Sequence, residues 1–264
     1  MNELRYTIRA MIAMAVMVSL VILLGGFALI VRAVHPSQRL MDSCSLFWAR
    51  AVLLFSGVRL TIKGQEKAAG FTPAFFIGNH QSGLDIPIVI CALEGHVRFL
   101  AKDSLFRIPL FGRVIRRHGF VPIDRQNVRR TLEALKHMIA VMHSNPISMT
   151  AFPEGTRSRD GRLLPFRRGT MKIAQRAGLP VVPFAIDGSI LVHHPDRMLR
   201  TKPGPVTLTF AEPIPADQVV AMGQGELHGR VVSAIANALG QPVPETQEEL
   251  IDASSESCEV GACL

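Results

Sequence analysis

The chain has 264 residues, 48% of them hydrophobic, and a formal net charge of +8 at pH 7. This length is enough for one sizeable core with appendages. The basic residues are scattered between apolar stretches and the aromatic residues are not interleaved with them, which argues against a nucleic-acid-binding protein and favours an anionic lipid surface or substrate. The four cysteines form no CxxC pair, so they indicate neither a disulfide framework nor a zinc site and fit a reducing cytoplasm.

The first apolar segment, residues 10–31, contains no charged residue. As a helix it would be about 33 Å long, close to the thickness of a bilayer core, so the sequence predicts a membrane helix. A cleaved signal peptide is the alternative. Its apolar region would usually be about 7 to 15 residues, and no small-x-small cleavage site follows this one.

Basic residues flank this helix unequally. Two arginines precede it, whereas five basic residues follow it by residue 63. Since cytoplasmic segments are enriched in Lys and Arg, we expect an inner-membrane protein whose bulk lies on the cytoplasmic side.

A second apolar stretch, residues 46–60, is interrupted by Arg50 and Arg59 and is too short to span a bilayer. It is typical of an interfacial helix with Trp48 at headgroup level, and an ordinary core helix is the alternative. Together the two segments predict a membrane-associated helical hairpin over residues 1–60, which either crosses the membrane or dips into one leaflet.

Residues 61–240 alternate between apolar runs of strand length and stretches with helical spacing, such as residues 128–143. This alternation predicts an α/β domain with a largely parallel sheet flanked by helices. The tail, residues 241–264, is acidic and rich in serine, and we expect it to be disordered.

The stretch NHQSGLD, residues 79–85, follows an apolar run and precedes a predicted helix. Ligands collect at strand-to-helix loops in α/β sheets. Gly83 permits the turn that would bring His80 to Asp85, and a carboxylate on one ring nitrogen leaves the other free to accept a proton. The alternative is a polar loop in which Asp85 caps the next helix.

The stretch FPEGTRSRDGRLLPFRRG, residues 152–169, contains five arginines around Gly155 and Gly161. Arginine side chains and exposed backbone N–H groups bind phosphate well, although a solvated basic loop has the same composition. Lys102 in AKDSLFRIPLFG and Arg125 in PIDR add basic residues after two further apolar runs.

The order of these stretches resembles the glycerolipid acyltransferases of the 1-acylglycerol-3-phosphate acyltransferase family. Asn79, His80 and Asp85 match the Asn-His-x-x-x-x-Asp box of the family, and residues 152–157 match its Phe-Pro-Glu-Gly-Thr-Arg box. AKDSLFRIPLFG with GFVPIDR, and VVPFAIDG, complete a resemblance over about residues 55–215. The sequence departs from the family pattern at Ser104, where glutamate is frequent, and at Gly83, where larger residues are frequent.

The resemblance implies a function and roles for the site residues. His80, oriented by Asp85, would be the general base that activates the free sn-2 hydroxyl of 1-acyl-sn-glycerol-3-phosphate (lysophosphatidic acid), giving phosphatidic acid. The acyl donor would be a thioester, acyl-CoA or acyl carrier protein, used as co-substrate without a cofactor or metal. The acceptor-binding positions map to Lys102, Arg125, Glu154, Gly155, Thr156 and Arg157.

Three alternatives stay open at this point. The acceptor is another lysolipid, such as a lyso-ornithine lipid or lysocardiolipin; or His80 and Asp85 act on water in a membrane lipid hydrolase; or the chain is a non-catalytic protein that binds membrane phospholipids. The neighbouring His193 and His194 invite a metal hypothesis, but adjacent histidines point apart and no third ligand is evident.

Overall fold

The computed structural model describes residues 2–34, 37–123, 128–145, 147–197 and 199–244. Within them lies a seven-stranded sheet with the strand order β1-β7-β6-β2-β5-β3-β4. All neighbouring strands are parallel except β6 and β7, so β1 and β7 run against the other five. The strands are β1 Val58–Lys63, β2 Phe75–Gly78, β3 Val97–Lys102, β4 Val121–Ile123, β5 Ser148–Ala151, β6 Val181–Asp187 and β7 Gly204–Phe210.

Helices connect the strands and cover both faces of the sheet. They are α1 Asn2–Val34, α2 Gln38–Ser56, α3 Gln65–Ala68, α4 Asp85–Ala92, α5 Phe111–His118, α6 Val128–Ser144, α7 Arg168–Ala177, α8 Ser189–Val192, α9 Ala216–Ala221 and α10 Gln224–Leu239, with a 3₁₀ turn at Asp103–Arg107. The predicted α/β fold with a largely parallel sheet is confirmed.

The core consists of two apolar layers, one on each side of the sheet. Successive side chains of a strand point to opposite faces, so Phe75 and Ile77 join the layer under α6, α7 and α10, whereas Phe76 joins the layer under α2 and α4. The four residues of β2, FFIG, are all buried because this central strand is covered on both sides.

The helices α1 and α2 form the predicted hairpin, and α2 packs against α4. The indole Nε1 of Trp48 donates to the carbonyl of Met17 at 3.3 Å, so the polar group of this residue is satisfied inside the hairpin. The hairpin therefore shares part of its apolar surface with the α/β domain.

The second helix differs from its sequence prediction at both ends. It begins at Gln38, where Ser37 accepts a hydrogen bond from the amide of Leu40. It ends at Ser56, because Gly57 adopts the left-handed conformation at φ +75°. Residues 58–60 belong to β1, in which side chains alternate between half-buried and exposed. The predicted helix over residues 46–60 is therefore wrong for its last residues.

The first helix contains a 29-residue stretch, Glu3–Val31, that is long and apolar enough to cross a membrane. Only 11% of its most apolar window is buried against the rest of the chain, so it is not a core helix. Exposed side chains such as Leu23 and Ile30 give it a surface suited to lipid.

A buried ion pair joins α2 to the sheet. Asp42 lies 2.7 Å from Nη2 of Arg98 on β3, and both side chains are almost fully buried. Arg98 also donates to the carbonyl of Val97 at 2.9 Å, and the ring of His118 on α5 lies 3.4 Å from the same carboxylate. This cluster holds the hairpin in one orientation on the domain.

Candidate active site

The site residues lie at the carboxyl-terminal edge of the sheet. Phe76, Thr150 and Phe99 are level with one another on β2, β5 and β3. His80 is four residues beyond Phe76 and Lys102 is three residues beyond Phe99, so both lie past the strand centres at the same edge. Two strand spacings, about 10 Å, separate β2 from β3.

Asn79 has a structural role. Its Nδ2 donates to the carbonyl of Ile186 at 2.9 Å, and its Oδ1 accepts from the amide of Ile186 at 2.7 Å. The buried side chain of Asn79 therefore forms the same pair of hydrogen bonds with β6 that a strand backbone would form, directly after the end of β2. It anchors the start of the His80–Asp85 loop to the central sheet.

The Asp85 carboxylate collects three donors on one oxygen. Its Oδ2 lies 2.7 Å from Nδ1 of His80, 2.7 Å from the amide of Gln81 and 2.8 Å from the amide of Ser82. The side chain is fully buried. Asp85 begins α4, but its side chain turns back into the loop and does not cap the helix as an N-cap residue would. The loop geometry thus depends on this carboxylate.

The ring of His80 is fixed on two sides. Asp85 holds Nδ1, and the ring of Phe152 stacks on it with centroids 4.4 Å apart and planes 15° apart. The backbone carbonyl of His80 accepts from the amide of Ser158 at 2.8 Å. Since the side chain is still 19% exposed, Nε2 is the ring nitrogen left for proton exchange.

Glu154 lies beneath this histidine. Its Oε1 accepts from the backbone amide of His80 at 3.2 Å, and its side chain is buried. Burial, together with the negative charge of Asp85, raises the pKa of Glu154 to about 9. The carboxyl group is therefore neutral at pH 7. Gly155, at φ +68°, then turns the chain, and Gly155 and Thr156 are exposed.

Arg157 extends from this turn towards the His80–Asp85 loop. A methyl group on Gly83 would lie 3.7 Å from Nη1 of Arg157, so a larger residue at position 83 would contact the guanidinium. Arg157 is half-buried and makes no hydrogen bond or ion pair within the part of the chain that the structure describes. By contrast, Arg159 pairs with Asp196 at 3.6 Å, and Arg162 with Asp160 at 3.8 Å, both in exposed positions.

Lys102 is exposed at the end of β3, at the same edge of the sheet as His80. Arg125 lies outside the described residues. The described site residues form two groups. The loops after β2 and β5 carry His80, Asp85, Glu154 and Arg157, and Lys102 lies on β3, on the far side of β5.

The histidine pair makes hydrogen-bond contacts with both loops of the site. The carbonyl of His193 accepts from Oγ of Ser82 at 2.7 Å, and Nε2 of His194 lies 3.0 Å from the carbonyl of Arg159. Burial lowers the pKa of His193, and the positive charge of Arg157 adds to this effect. Among the described residues, no group of three or more His, Cys, Asp or Glu side chains is placed to hold a metal ion.

Sequence reasoning did not assign a role to Phe152 or predict the contact between Ser82 and His193. Phe152 stands first in the FPEGTR stretch, directly after β5, and an aromatic residue at such an edge is a signal that could have found it. The contact of Ser82 with His193 joins residues 111 positions apart and has no local signal.

Comparisons with known proteins bear on this site. The family model described as "Acyltransferase" matches residues 59–187, which contain the edge loops described above. A 1-acyl-sn-glycerol-3-phosphate acyltransferase of Cocos nucifera is 32% identical over 212 residues, or 79% of this chain and 67% of that protein. The chain belongs to the 1-acyl-sn-glycerol-3-phosphate acyltransferase family. The predictions of this family and of an acyltransferase are confirmed.

Further family members are similar over shorter or more distant matches. The Haemophilus influenzae 1-acyl-sn-glycerol-3-phosphate acyltransferase is 27% identical over 195 residues, or 74% of this chain and 79% of that protein. The match with the Limnanthes douglasii enzyme covers only 58% of that protein, so the chain spans less than two thirds of some relatives. The crystal structure of the 1-acyl-sn-glycerophosphate acyltransferase PlsC from Thermotoga maritima has a TM-score of 0.76, at 24% identity, and the match covers 95% of this chain and 98% of that one. This last likeness shows the fold.

Proposed function

We propose that the chain transfers a fatty acyl group from an acyl thioester to the sn-2 hydroxyl of 1-acyl-sn-glycerol-3-phosphate, giving phosphatidic acid for phospholipid synthesis. The observation that carries the proposal is the contact of 2.7 Å between Nδ1 of His80 and the buried carboxylate of Asp85, with Arg157 beside the same loop. The substrates printed in the names of the relatives supply the acceptor.

His80 is the general base in this proposal. Because the Asp85 carboxylate accepts from Nδ1–H, Nε2 is unprotonated and takes the proton of the acceptor hydroxyl. The hydroxyl oxygen then attacks the thioester carbonyl, the carbon–sulfur bond breaks, and the thiolate leaves with the proton from Nε2. A thioester is already activated, so positioning and proton transfer supply much of the rate without an acyl-enzyme.

The acceptor phosphate binds to Arg157, whose guanidinium fork is otherwise without an ionic partner in the described chain, and to Lys102 at the same edge. Gly155 and Thr156 are exposed in the turn directly before Arg157 and complete the proposed acceptor site, and neutral Glu154 avoids a second negative charge beside the phosphate. Arg125 is assigned to the acceptor site by the family resemblance alone.

An apolar cavity of about 110 Å³ lies between the hairpin and the domain. Its walls come from α1, α2, α4 and α5, and they include Leu24, Trp48, Ile86 and Phe120. The cavity is lined by Ile86, the residue after Asp85, and its apolar walls suit part of an acyl chain.

The chain associates with a membrane, as its apolar first helix and its family indicate. We assign residues 1–60 to anchoring, residues 61–240 to catalysis and residues 241–264 to a tail. Both halves of α1 contact the domain: Arg200 pairs with Glu3 at 2.6 Å, and Gly25 packs on Val114 of α5. This docking favours a hairpin that dips into the cytoplasmic leaflet of the inner membrane over an isolated spanning helix.

The test is an acyl-transfer assay of the purified full chain with lysophosphatidic acid and either acyl-CoA or acyl carrier protein thioester. We expect phosphatidic acid to form with at least one donor, and His80→Ala to lower the rate by roughly 10²- to 10⁴-fold. Transfer only to a lyso-ornithine lipid or lysocardiolipin would reassign the acceptor. Consumption of phosphatidic acid without a thioester would instead favour the hydrolase, and vesicle binding without turnover the non-catalytic protein.

A further inference from the structure

Two large aliphatic side chains are exposed in the segment that follows β6. Leu191 is 76% exposed and Leu199 is 62% exposed. They belong to residues 189–197 and 199–203, here called the 189–203 segment. Burial of such residues in an apolar environment is favourable, so the exposure of two of them in one segment needs a reason.

The segment adjoins the start of α1. Arg200 pairs with Glu3, its guanidinium lies 5.5 Å from the centroid of the Tyr6 ring, and the amide of Thr201 donates to the carbonyl of Tyr6. Leu4 and Ile8 on the same turns of α1 are 67% and 46% exposed. The segment and the first turns of α1 are thus in contact, and both expose apolar side chains suited to lipid.

The charges on this surface are mainly positive. Glu3 and Asp196 are each paired with an arginine, whereas Arg5 on α1 and Arg197 and Lys202 in the segment are exposed. Exposed leucines among basic side chains are the composition that binds the headgroup region of an anionic bilayer.

The segment also contacts the candidate active site. The carbonyl of His193 accepts from Ser82, three residues before Asp85, and His194 contacts the carbonyl of Arg159 in the arginine loop. A surface that lies on the bilayer through Leu191 and Leu199 would therefore hold both site loops close to the headgroups.

We infer that the 189–203 segment, with the first turns of α1, is a second membrane-binding surface that places Leu191 and Leu199 in the headgroup region of an anionic bilayer beside the active site. Its consequence for lipid transfer rests on the proposed function. The surface itself does not, because it is defined by exposure, charge and contact with the hairpin.

The direct test uses tryptophan fluorescence. Trp48 is the single tryptophan of the chain, so in a Trp48→Phe background the fluorescence of Leu199→Trp comes from position 199 alone. We expect brominated phospholipid in phosphatidylglycerol vesicles to quench this tryptophan at least twofold. Val220 is 60% exposed on α9, which packs on α7, so Val220→Trp in the same background is the matched control and should not be quenched. Equal quenching at both positions, or none at Leu199→Trp, would overturn the inference.

The second test concerns turnover in the full chain. Leu191→Ser with Leu199→Ser should lower acyl transfer to lysophosphatidic acid embedded in vesicles by roughly tenfold, because two exposed apolar anchors are lost. Transfer to a short-chain, water-soluble acceptor should be unchanged, and Val220→Ser should behave as the native chain in both assays. An equal loss with both acceptors would show a folding defect or a direct site effect and would overturn the inference.

Failure of the proposed function is distinguishable from failure of this inference. A native chain that acylates no lysophosphatidic acid with either donor refutes the proposed function, while the quenching experiment still decides whether the segment meets the bilayer. Exchange of Arg197 and Lys202 for glutamine should also weaken the preference for phosphatidylglycerol over phosphatidylcholine vesicles. An unchanged preference would contradict the electrostatic part.

Discussion

Asp85→Asn tests the central contact of the site. One buried oxygen of Asp85 accepts from Nδ1 of His80, the amide of Gln81 and the amide of Ser82, all at 2.7 to 2.8 Å. A bond to a charged acceptor contributes about 1.5–3 kcal/mol and a neutral bond about 0.5–1.5 kcal/mol, so removal of the charge costs roughly 1 kcal/mol per donor. The three donors together predict a loss of about 3 kcal/mol in the free energy of unfolding, or about 6–12 °C in Tm.

The same substitution acts on the reaction. With the amide oxygen facing the same three donors, Nδ1 of His80 loses the charged acceptor that stabilises the imidazolium formed when Nε2 takes a proton. We expect kcat/KM to fall roughly 10²- to 10⁴-fold. His80→Ala removes only one of the three donors, so it should lower activity as much while changing Tm far less.

The assays are thermal unfolding and steady-state acyl transfer for the two single variants and the double variant. Because His80 and Asp85 act as one unit, the double variant should be about as inactive as His80→Ala alone. Two losses of activity that multiply in full would refute the coupling. So would an Asp85→Asn variant that keeps both its Tm and at least a tenth of native activity.

Three further outcomes follow from the site and its support. Arg157→Ala should raise the acceptor KM or lower kcat/KM by roughly 10- to 150-fold, equivalent to about 1.5–3 kcal/mol. Arg159→Ala, at an exposed position, should change mainly the salt dependence of the rate, and equal effects of the two variants in steady-state kinetics would contradict a phosphate site. Asp42→Ala removes the carboxylate that pairs with the buried Arg98 and should cost about 3–5 kcal/mol in urea unfolding. A loss below about 1 kcal/mol would show that the pair does not hold the hairpin. The folded-state pKa of Glu154 is raised to about 9 from an ordinary value near 4.5, so its contribution to stability is complete below about pH 4.5 and is lost as the pH rises to about 9. Because the glutamine of Glu154→Gln does not titrate, the Tm of this variant relative to the native chain should increase from about pH 4.5 to about pH 9. A Tm difference that does not depend on pH would refute the raised pKa.

The sequence alone determined the features that depend on local pattern. Residues 10–31 carry no charge, and in contact with lipid the backbone N–H and C=O groups of such a stretch must bond to each other, which a helix achieves. Apolar runs of strand length were sufficient to predict the strands β2 to β7, and the helical spacing of apolar residues within residues 128–143 was sufficient to predict α6. The two motif boxes, through their family resemblance, were sufficient to select His80 and Asp85 before any distance was known.

Only the tertiary structure decided which distant segments meet. Residues 58–63, VRLTIK, alternate apolar and polar side chains with the period of a strand, but residues 58–60 also continue the apolar stretch before them, and only the structure shows that they pair with β7 some 146 residues away. The side-chain amide of Asn79 donates a hydrogen bond to the carbonyl of Ile186, 107 residues away. The carboxylate of Asp85 accepts hydrogen bonds from the loop before it and does not cap its own helix. Local pattern reports which side chains prefer burial, whereas the partner of each buried polar group is chosen by the packing of the whole chain, since such a group is costly wherever it stays unpaired.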